Sequence, residues 1–171
     1  RPVERLWAPW RLEYVTRAVS SEETPSACVF CEALSADRPC PYLVFCGVRV
    51  FVILNKYPYN NGHVMVLPMR HVGRMVDTTT EELHELIEMT RLAEMALTEV
   101  YNAQGINVGM NLGRTAGAGV LDHLHIHLVP RWEGDTNFMS VVADTRVVPE
   151  EPEVSVSRLT PVFERLVATG S

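Results

Sequence analysis

The sequence predicts an α+β fold built around an antiparallel sheet, and three observations carry that prediction. Short runs rich in Val, Ile and Phe are separated by turns bearing Gly, Pro and Asn. One long stretch, from Thr78 to Val100, spaces its apolar residues as a helix does. Near the centre of the second half, His123-Leu124-His125-Ile126-His127-Leu128 alternates strictly, which is the period of a strand. With 171 residues, 47% of them hydrophobic, the chain is long enough to bury a sizeable core, and one domain over 1–171 is expected.

The elements follow in chain order. Residues 1–40 mix Trp7, Pro9 and Trp10 with a polar stretch from Ser20 to Ser26, and read as an irregular arm leading into Cys28-Val29-Phe30-Cys31. Leu43 to Leu54 predicts two strands joined by a tight turn at Gly47, ended by the loop from Asn55 to Gly62. His63 to Pro68 predicts a third strand, stopped by its proline. Thr78 and Thr79 each precede a Glu by three residues, as in a capping box, and Gly105 marks the far end of the helix they open. The apolar face of that helix, Leu83, Leu86, Ile87, Ala93, Leu97 and Val100, is a core-packing face. Ile106 to Leu112 predicts a strand, Gly113 to Gly119 a Gly-rich turn, and His123 to Val129 a strand ended by Pro130, for about five strands in all. Residues 133–171 form a C-terminal extension, irregular to Pro152, with a short helix in Val154 to Val167 interrupted or started at Pro161.

Composition narrows the function. A net charge of −6 and a pI near 5.5 argue against gripping nucleic acid through general phosphate neutralisation, which needs a basic face, although one anionic ligand can still be held in a local pocket. No stretch approaches the ~20 apolar residues of a spanning helix, and Arg1 to Trp10 carries no apolar run of signal-peptide length. A soluble cytoplasmic protein, off the membrane, is the expectation. Four cysteines, two of them as Cys28 and Cys31, suit a reduced compartment and a metal or redox site better than a disulfide framework.

The alternating run carries the chemistry. A strand there places His123, His125 and His127 on one face and the aliphatic residues on the other, with successive imidazoles about 7 Å apart. Burying three adjacent titratable rings without a use for them is costly. Two uses fit: a three-histidine face for a catalytic zinc, or nucleophilic attack on phosphorus by an unprotonated ring nitrogen whose other N–H is fixed by a hydrogen bond. In the second, Gly113, Gly117 and Gly119 bring backbone N–H groups toward a phosphate, where they stabilise developing charge. Cys28 and Cys31 have zinc-ligand spacing but read equally as a redox pair, since two further ligands are required. Cys40 and Cys46 have no such partners, and His84 lies among charged helix residues.

The run His123-Leu124-His125-Ile126-His127-Leu128-Val129 resembles the signature of the histidine-triad family of nucleotide hydrolases and transferases. The resemblance extends over Leu43 to Trp132, through Asn55-Lys56-Tyr57-Pro58-Tyr59-Asn60-Asn61-Gly62-His63 and Asn107-Val108-Gly109-Met110-Asn111-Leu112-Gly113. Both stretches look more like the dinucleoside polyphosphate branch than the small phosphoramidase branch. Trp7-Ala8-Pro9-Trp10-Arg11 and the segment from Trp132 to Phe138 are similar to bacterial diadenosine tetraphosphate phosphorylases.

The resemblance implies the family fold, a homodimer with an extended sheet, a nucleotide substrate, and an intermediate in which His125 carries the nucleotidyl group. By the same resemblance His127 contacts phosphate oxygens or the leaving group, Asn55 the ribose hydroxyls and Asn111 the phosphate chain, while His63 supports the nucleophile or its neighbours. Where many members have Ser or Gln this chain has Ala118 and Gly119, so backbone contacts from the turn, Gly117 and Gly119 included, serve instead. Zinc-containing members pair two such cysteines with a histidine after the Pro-containing strand and with the first triad histidine. The implied structural zinc ligands are therefore Cys28, Cys31, His71 and His123, and no organic cofactor is expected.

The expected activity is cleavage of a dinucleoside polyphosphate, diadenosine tetraphosphate foremost, at the α-phosphorus, with water or phosphate as acceptor. A nucleoside phosphoramidase and a hexose-1-phosphate nucleotidyltransferase are the rivals among enzymes, the latter usually carrying Pro where Leu124 stands. A binding or sensing module without turnover is the rival of another class.

Overall fold

A computed structural model describes residues 28–35, 37, 40–135 and 150–170. Of the predicted irregular arm over 1–40, residues 1–27, including Trp7 to Arg11, lie outside the described residues, as do residues 136–149 of the C-terminal extension, among them 136–138 of the Trp132 to Phe138 segment. The described part of the arm is not irregular throughout, since Val29–Ala33 is helical, with Phe30 and Ala33 buried. The strands β1 (Leu43–Cys46), β2 (Val50–Leu54), β3 (Val64–Pro68), β4 (Gly105–Gly109) and β5 (Ile126–Arg131) form an antiparallel five-stranded sheet ordered β1-β2-β3-β5-β4. The helices are α1 (Val29–Ala33), α2 (Thr80–Tyr101) and α3 (Pro152–Thr169), with 3₁₀ turns at Met75–Asp77 and Arg114–Ala116. None of the described helices is long and apolar enough to cross a membrane.

The sheet has a buried layer on each face, and the period-2 pattern assigns residues to them. Val50, Val52, Leu54, Val64, Val66, Leu124, Ile126 and Leu128 pack against α2 and α3, with Leu86, Leu97, Leu159 and Phe163 facing them. Phe51, Ile53, Met65 and Leu67 point the other way and pack against Phe30 and Ala33 of α1. Strands β2 and β3 are buried at every position, which is why they read as continuous apolar runs rather than alternating ones.

Helix α2 starts as its sequence predicts: the Thr79 side chain accepts from the Glu82 N–H and the Glu82 carboxylate accepts from the Thr79 N–H. It ends earlier than Gly105. Asn102, at φ 50°, takes the left-handed capping position, and Gly105 is instead the first residue of β4. Its buried stripe is Leu86, Met89, Leu92, Ala93, Ala96 and Leu97, whereas Ile87 is 59% exposed.

Proline misled at two places, Pro130 and Pro161. Pro68 is the last residue of β3, as expected, and pairs with Val50, whereas Pro130 lies inside β5, paired with Ile106. The Pro130 carbonyl accepts from Asn60 Nδ2 (3.0 Å) and the Pro68 carbonyl from His123 Nε2 (2.8 Å). Each proline therefore turns its missing N–H toward a side where the ladder has already ended, since β3 and β5 pair only from Val64↔Leu128 to Val66↔Ile126. The C-terminal helix is not short. It runs 18 residues from Pro152 with Pro161 inside, held by buried Ser155, Leu159, Phe163 and Leu166. Thr160 Oγ1 donates to the Val44 carbonyl (2.9 Å), the residue skipped by the register shift of β1.

Candidate active site and metal centre

The predicted site residues come from five segments. His127 lies on β5, paired with Met65 on one side and Gly109 on the other. His123 to His125 precede the ladder. They are held extended because the Leu124 N–H donates to the Val72 carbonyl (2.7 Å), so the predicted alternation survives without a regular strand at its start. Leu124, Ile126 and Leu128 enter the helix-side core while the three imidazoles face the α1 side. Asn55 follows β2 and donates its N–H to the His63 carbonyl (2.9 Å), and its Oδ1 accepts from the Tyr57 N–H (2.9 Å). Asn111 stands two residues beyond Gly109, the partner of His127, and donates to the Gly117 carbonyl (3.3 Å). Gly117 is at φ +86°, and Gly119 is exposed in the same turn.

Hydrogen bonding assigns the protons of the rings. The Tyr59 amide can only donate, and it donates to His63 Nδ1 (3.1 Å). A neutral His63 therefore carries its proton on Nε2 and donates it to His127 Nδ1 (3.0 Å). That leaves the His127 proton on Nε2. On the neighbouring residue the order is reversed: His125 Nδ1–H donates to the His123 carbonyl (2.8 Å), so Nε2 of His125 carries the lone pair. The His125 and His127 rings meet edge to face, 4.8 Å between centroids. A bare ring nitrogen thus sits beside an N–H donor.

The electrostatics keep both rings neutral. Burial depresses the His127 pKa to about 4, helped by the neighbouring His125. Burial also lowers His125, against the opposing effect of its bond to the His123 carbonyl. A neutral imidazole is the nucleophilic form.

Behind the triad, Cys28, Cys31, His71 and His123 converge, with one ligand atom from each lying within 4.8 Å of all the others. Nδ1 of His123 is 3.3 Å from Cys28 Sγ and 3.6 Å from Cys31 Sγ, and Nδ1 of His71 is 3.4 Å from Cys31 Sγ. A tetrahedron with Zn–S and Zn–N bonds of about 2.3 and 2.0 Å has edges of roughly 3.5 Å, so the donor set fits one zinc-like ion. His123 Nε2–H donates to Pro68 O, which leaves Nδ1 as the ligating atom. Without a cation, burial and the adjacent Cys28 sulfur push the Cys31 thiol up, a tendency that a metal reverses.

The segment presenting His71 is pinned at both ends. Arg70 grips Glu82 with two hydrogen bonds, 2.9 and 2.8 Å, and the Arg70 guanidinium holds the Glu82 carboxyl below the usual range. At Gly73 an added Cβ would lie 3.0 Å from the Leu121 carbonyl oxygen, so the two chain segments approach as closely as backbone allows.

Two further contacts have no counterpart among the predicted site residues. Phe30 lies against both His123 and His125. Asp135 accepts from Asn60 Nδ2 (2.9 Å) and from Arg131, whose hydrogen bond holds that carboxyl far below the ordinary carboxylate range, and so ties the Asn55 to Gly62 loop to the end of β5. Phe30 was signalled only by its place between two cysteines, and Asp135 by nothing local.

An antiparallel sheet that presents three alternating imidazoles beside a Gly-rich turn defines a histidine-triad protein. The HIT domain family matches residues 43–134, and the chain belongs to that family. A Mycobacterium tuberculosis (strain H37Rv) protein named AP-4-A phosphorylase is 38% identical over 152 residues, which cover 86% of this chain and 78% of that protein. Among solved structures, a hypothetical histidine triad nucleotide-binding protein from Sulfolobus tokodaii aligns with TM-score 0.68 at 29% identity, covering 81% of this chain and 93% of that one. A Zn-bound histidine triad family protein from Mycobacterium smegmatis aligns with TM-score 0.67 at 26% identity, covering 84% and 97%.

Proposed function

We propose that the protein is a nucleotidyl transferase that cleaves dinucleoside polyphosphates, diadenosine tetraphosphate first among them, at the α-phosphorus through a covalent nucleotidyl group on His125. The observation that carries this reading is the opposite proton placement on adjacent rings, bare Nε2 on His125 and Nε2–H on His127. The AP-4-A phosphorylase of M. tuberculosis supports the substrate class and favours inorganic phosphate over water as acceptor.

In the first step the His125 Nε2 lone pair forms the N–P bond while the bond from phosphorus to the departing nucleotide breaks. His127 Nε2–H donates a hydrogen bond to the leaving oxygen. A nucleoside polyphosphate is stable as an anion, so that hydrogen bond suffices without full proton transfer. The positive charge on the nucleotidylated His125 ring is stabilised by its Nδ1–H on the His123 carbonyl. Backbone N–H groups of the turn holding Gly117 and Gly119 face the phosphate oxygens, Asn111 the phosphate chain and Asn55 the ribose. In the second step the acceptor oxygen bonds to phosphorus, the N–P bond breaks and the lone pair returns to His125; phosphate attacks through an anionic oxygen, and where water is the acceptor its proton passes to solvent.

Cys28, Cys31, His71 and His123 would hold zinc. A closed set of four protein ligands leaves no position for water, so the metal braces the triad segment rather than generating a nucleophile. The M. smegmatis relative, solved with zinc, supports the metal's identity. The reading includes a cytoplasmic homodimer whose sheet continues through β4, an edge strand exposed at most positions.

The test is product analysis of diadenosine tetraphosphate with and without inorganic phosphate. ADP and ATP formed only with phosphate identify a phosphorylase; AMP and ATP formed without it identify a hydrolase. Absence of turnover in both contradicts the reading and leaves a phosphoramidase or a binding module.

A further inference from the structure

Among the described residues the His125 ring makes one hydrogen bond, and one hydrogen bond does not fix a ring. His125 Nδ1–H on the His123 carbonyl leaves the imidazole free to swing about that contact. Two rings limit the swing. His127 stands on one side, 4.8 Å away edge to face, and Phe30 on another, 5.3 Å away and tilted by 51°. Phe30 is only 7% exposed, and it also meets the His123 ring edge to face at 5.5 Å.

What holds Phe30 there is its position in the chain. It lies on α1 between Cys28 and Cys31, a helix of five residues that is too short to be stable by itself. Two anchors compensate: packing of Phe30 and Ala33 on Phe51, Ile53, Met65 and Leu67, and the cysteine pair converging with His71 and His123. The cysteines lie on either side of Phe30 in sequence, so whatever fixes both sulfurs fixes the ring between them.

We propose that Phe30 is a positioning residue for nucleotidyl transfer: the Cys28–Cys31 knuckle carries its ring against His125 and holds Nε2 of His125 in line with the α-phosphorus. This rests on the reading of His125 as nucleophile. Misplacement of a reacting atom by about 1 Å costs on the order of 100-fold in rate, so a missing wall is felt in the covalent step and not in substrate affinity.

The test compares wild type, Phe30→Ala and Phe30→Leu, each with its metal content measured and zinc supplied to saturation. Three quantities are read: the single-turnover rate of adenylylation from diadenosine tetraphosphate, the Kd of the substrate, and the ¹⁵N imidazole resonances of His125. Phe30→Ala is expected to lower the adenylylation rate about 30-fold with Kd within about twofold, one metal retained per chain, and shifted His125 resonances. Phe30→Leu, which keeps the bulk, restores most of the rate. An unchanged rate and unchanged resonances in Phe30→Ala overturn the proposal. So does a rate loss that follows metal loss and disappears once zinc saturates the site. If wild type forms no adenylyl adduct, the functional reading fails by itself, and the resonances then decide the positioning claim: shifted in Phe30→Ala they uphold it, unmoved they overturn it.

Discussion

His125 and His127 bring four ring nitrogens to one short stretch of backbone, and the hydrogen bond made by Nδ1 of each ring gives the two opposite proton placements. His125→Asn keeps a polar group where Nδ1 stands but has no nucleophilic nitrogen at the Nε2 position. Turnover is expected to fall by at least about 10⁴-fold, while nucleotide affinity measured by calorimetry stays within a few-fold. Residual turnover near the wild-type rate would exclude His125 as the attacking group. The titrations give a second prediction. The His127 pKa falls from 6.5 to about 4 on folding, and His123 and His125 move the same way. Between these values the unfolded chain binds more protons than the folded one, so stability rises with pH across that window and is lost as pH drops from 6.5 toward 4. Carboxylates such as Glu82 and Asp135 are held below their ordinary range and add their own loss only at lower pH. Tm measured from neutral pH down to about 5 should decline, less steeply in His127→Gln, and a flat profile would contradict the neutral buried rings. The alternation of His123, His125 and His127 was legible because a period of two is local. Phe30 and the Tyr59 amide were not, because an aromatic residue distant in sequence and a backbone donor leave no residue-type signature beside the motif.

Among the elements, the loop from Asn55 to Gly62 shows how local geometry serves the site. Gly62, at φ +73°, turns the chain so that His63 enters the buried face, and an added Cβ would lie 2.6 Å from the Tyr101 ring. Both the backbone sign and the contact reject a side chain. Gly62→Ala is expected to destabilise by about 1–2 kcal/mol in urea unfolding and to lower kcat by displacing His63 from His127. Equal stability and kcat would show the turn to be tolerant. Helix starts were readable and ends less so: Thr79 and Glu82 announce a capping box, whereas Asn102 took the left-handed position before Gly105 was reached. Pro68 ended its strand as expected, but Pro130 and Pro161 did not stop their elements, because Pro130 faces beyond the end of the β3–β5 ladder and because the core contacts of Leu159, Phe163 and Leu166 outweigh the missing N–H of Pro161. Ile87 sits on the helical period but beyond the covered stripe, since α2 packs on the sheet and α3 over a narrower arc than its apolar residues span.

At the scale of the whole molecule the sheet brings residues separated by 95 positions into one centre, Cys28 against His123. Spacing could propose the cysteine pair, but strand order and the Val72 to Leu124 contact are what bring His71 and His123 to it. A metal held by these four residues would tie α1, the segment after β3 and the triad together. Chelation at neutral pH is expected to lower Tm by several degrees, with activity lost in step with unfolding. Immediate loss of activity while the melt is unchanged would instead make the metal catalytic. The central claim, covalent transfer through His125, is tested most directly by rapid quenching of the protein with diadenosine tetraphosphate in the absence of phosphate, followed by mass measurement of intact protein and its peptides. The account predicts one adenylyl group per chain, on the peptide containing His125 and absent from His125→Asn; an adduct on another residue, or steady turnover with no adduct, would contradict it.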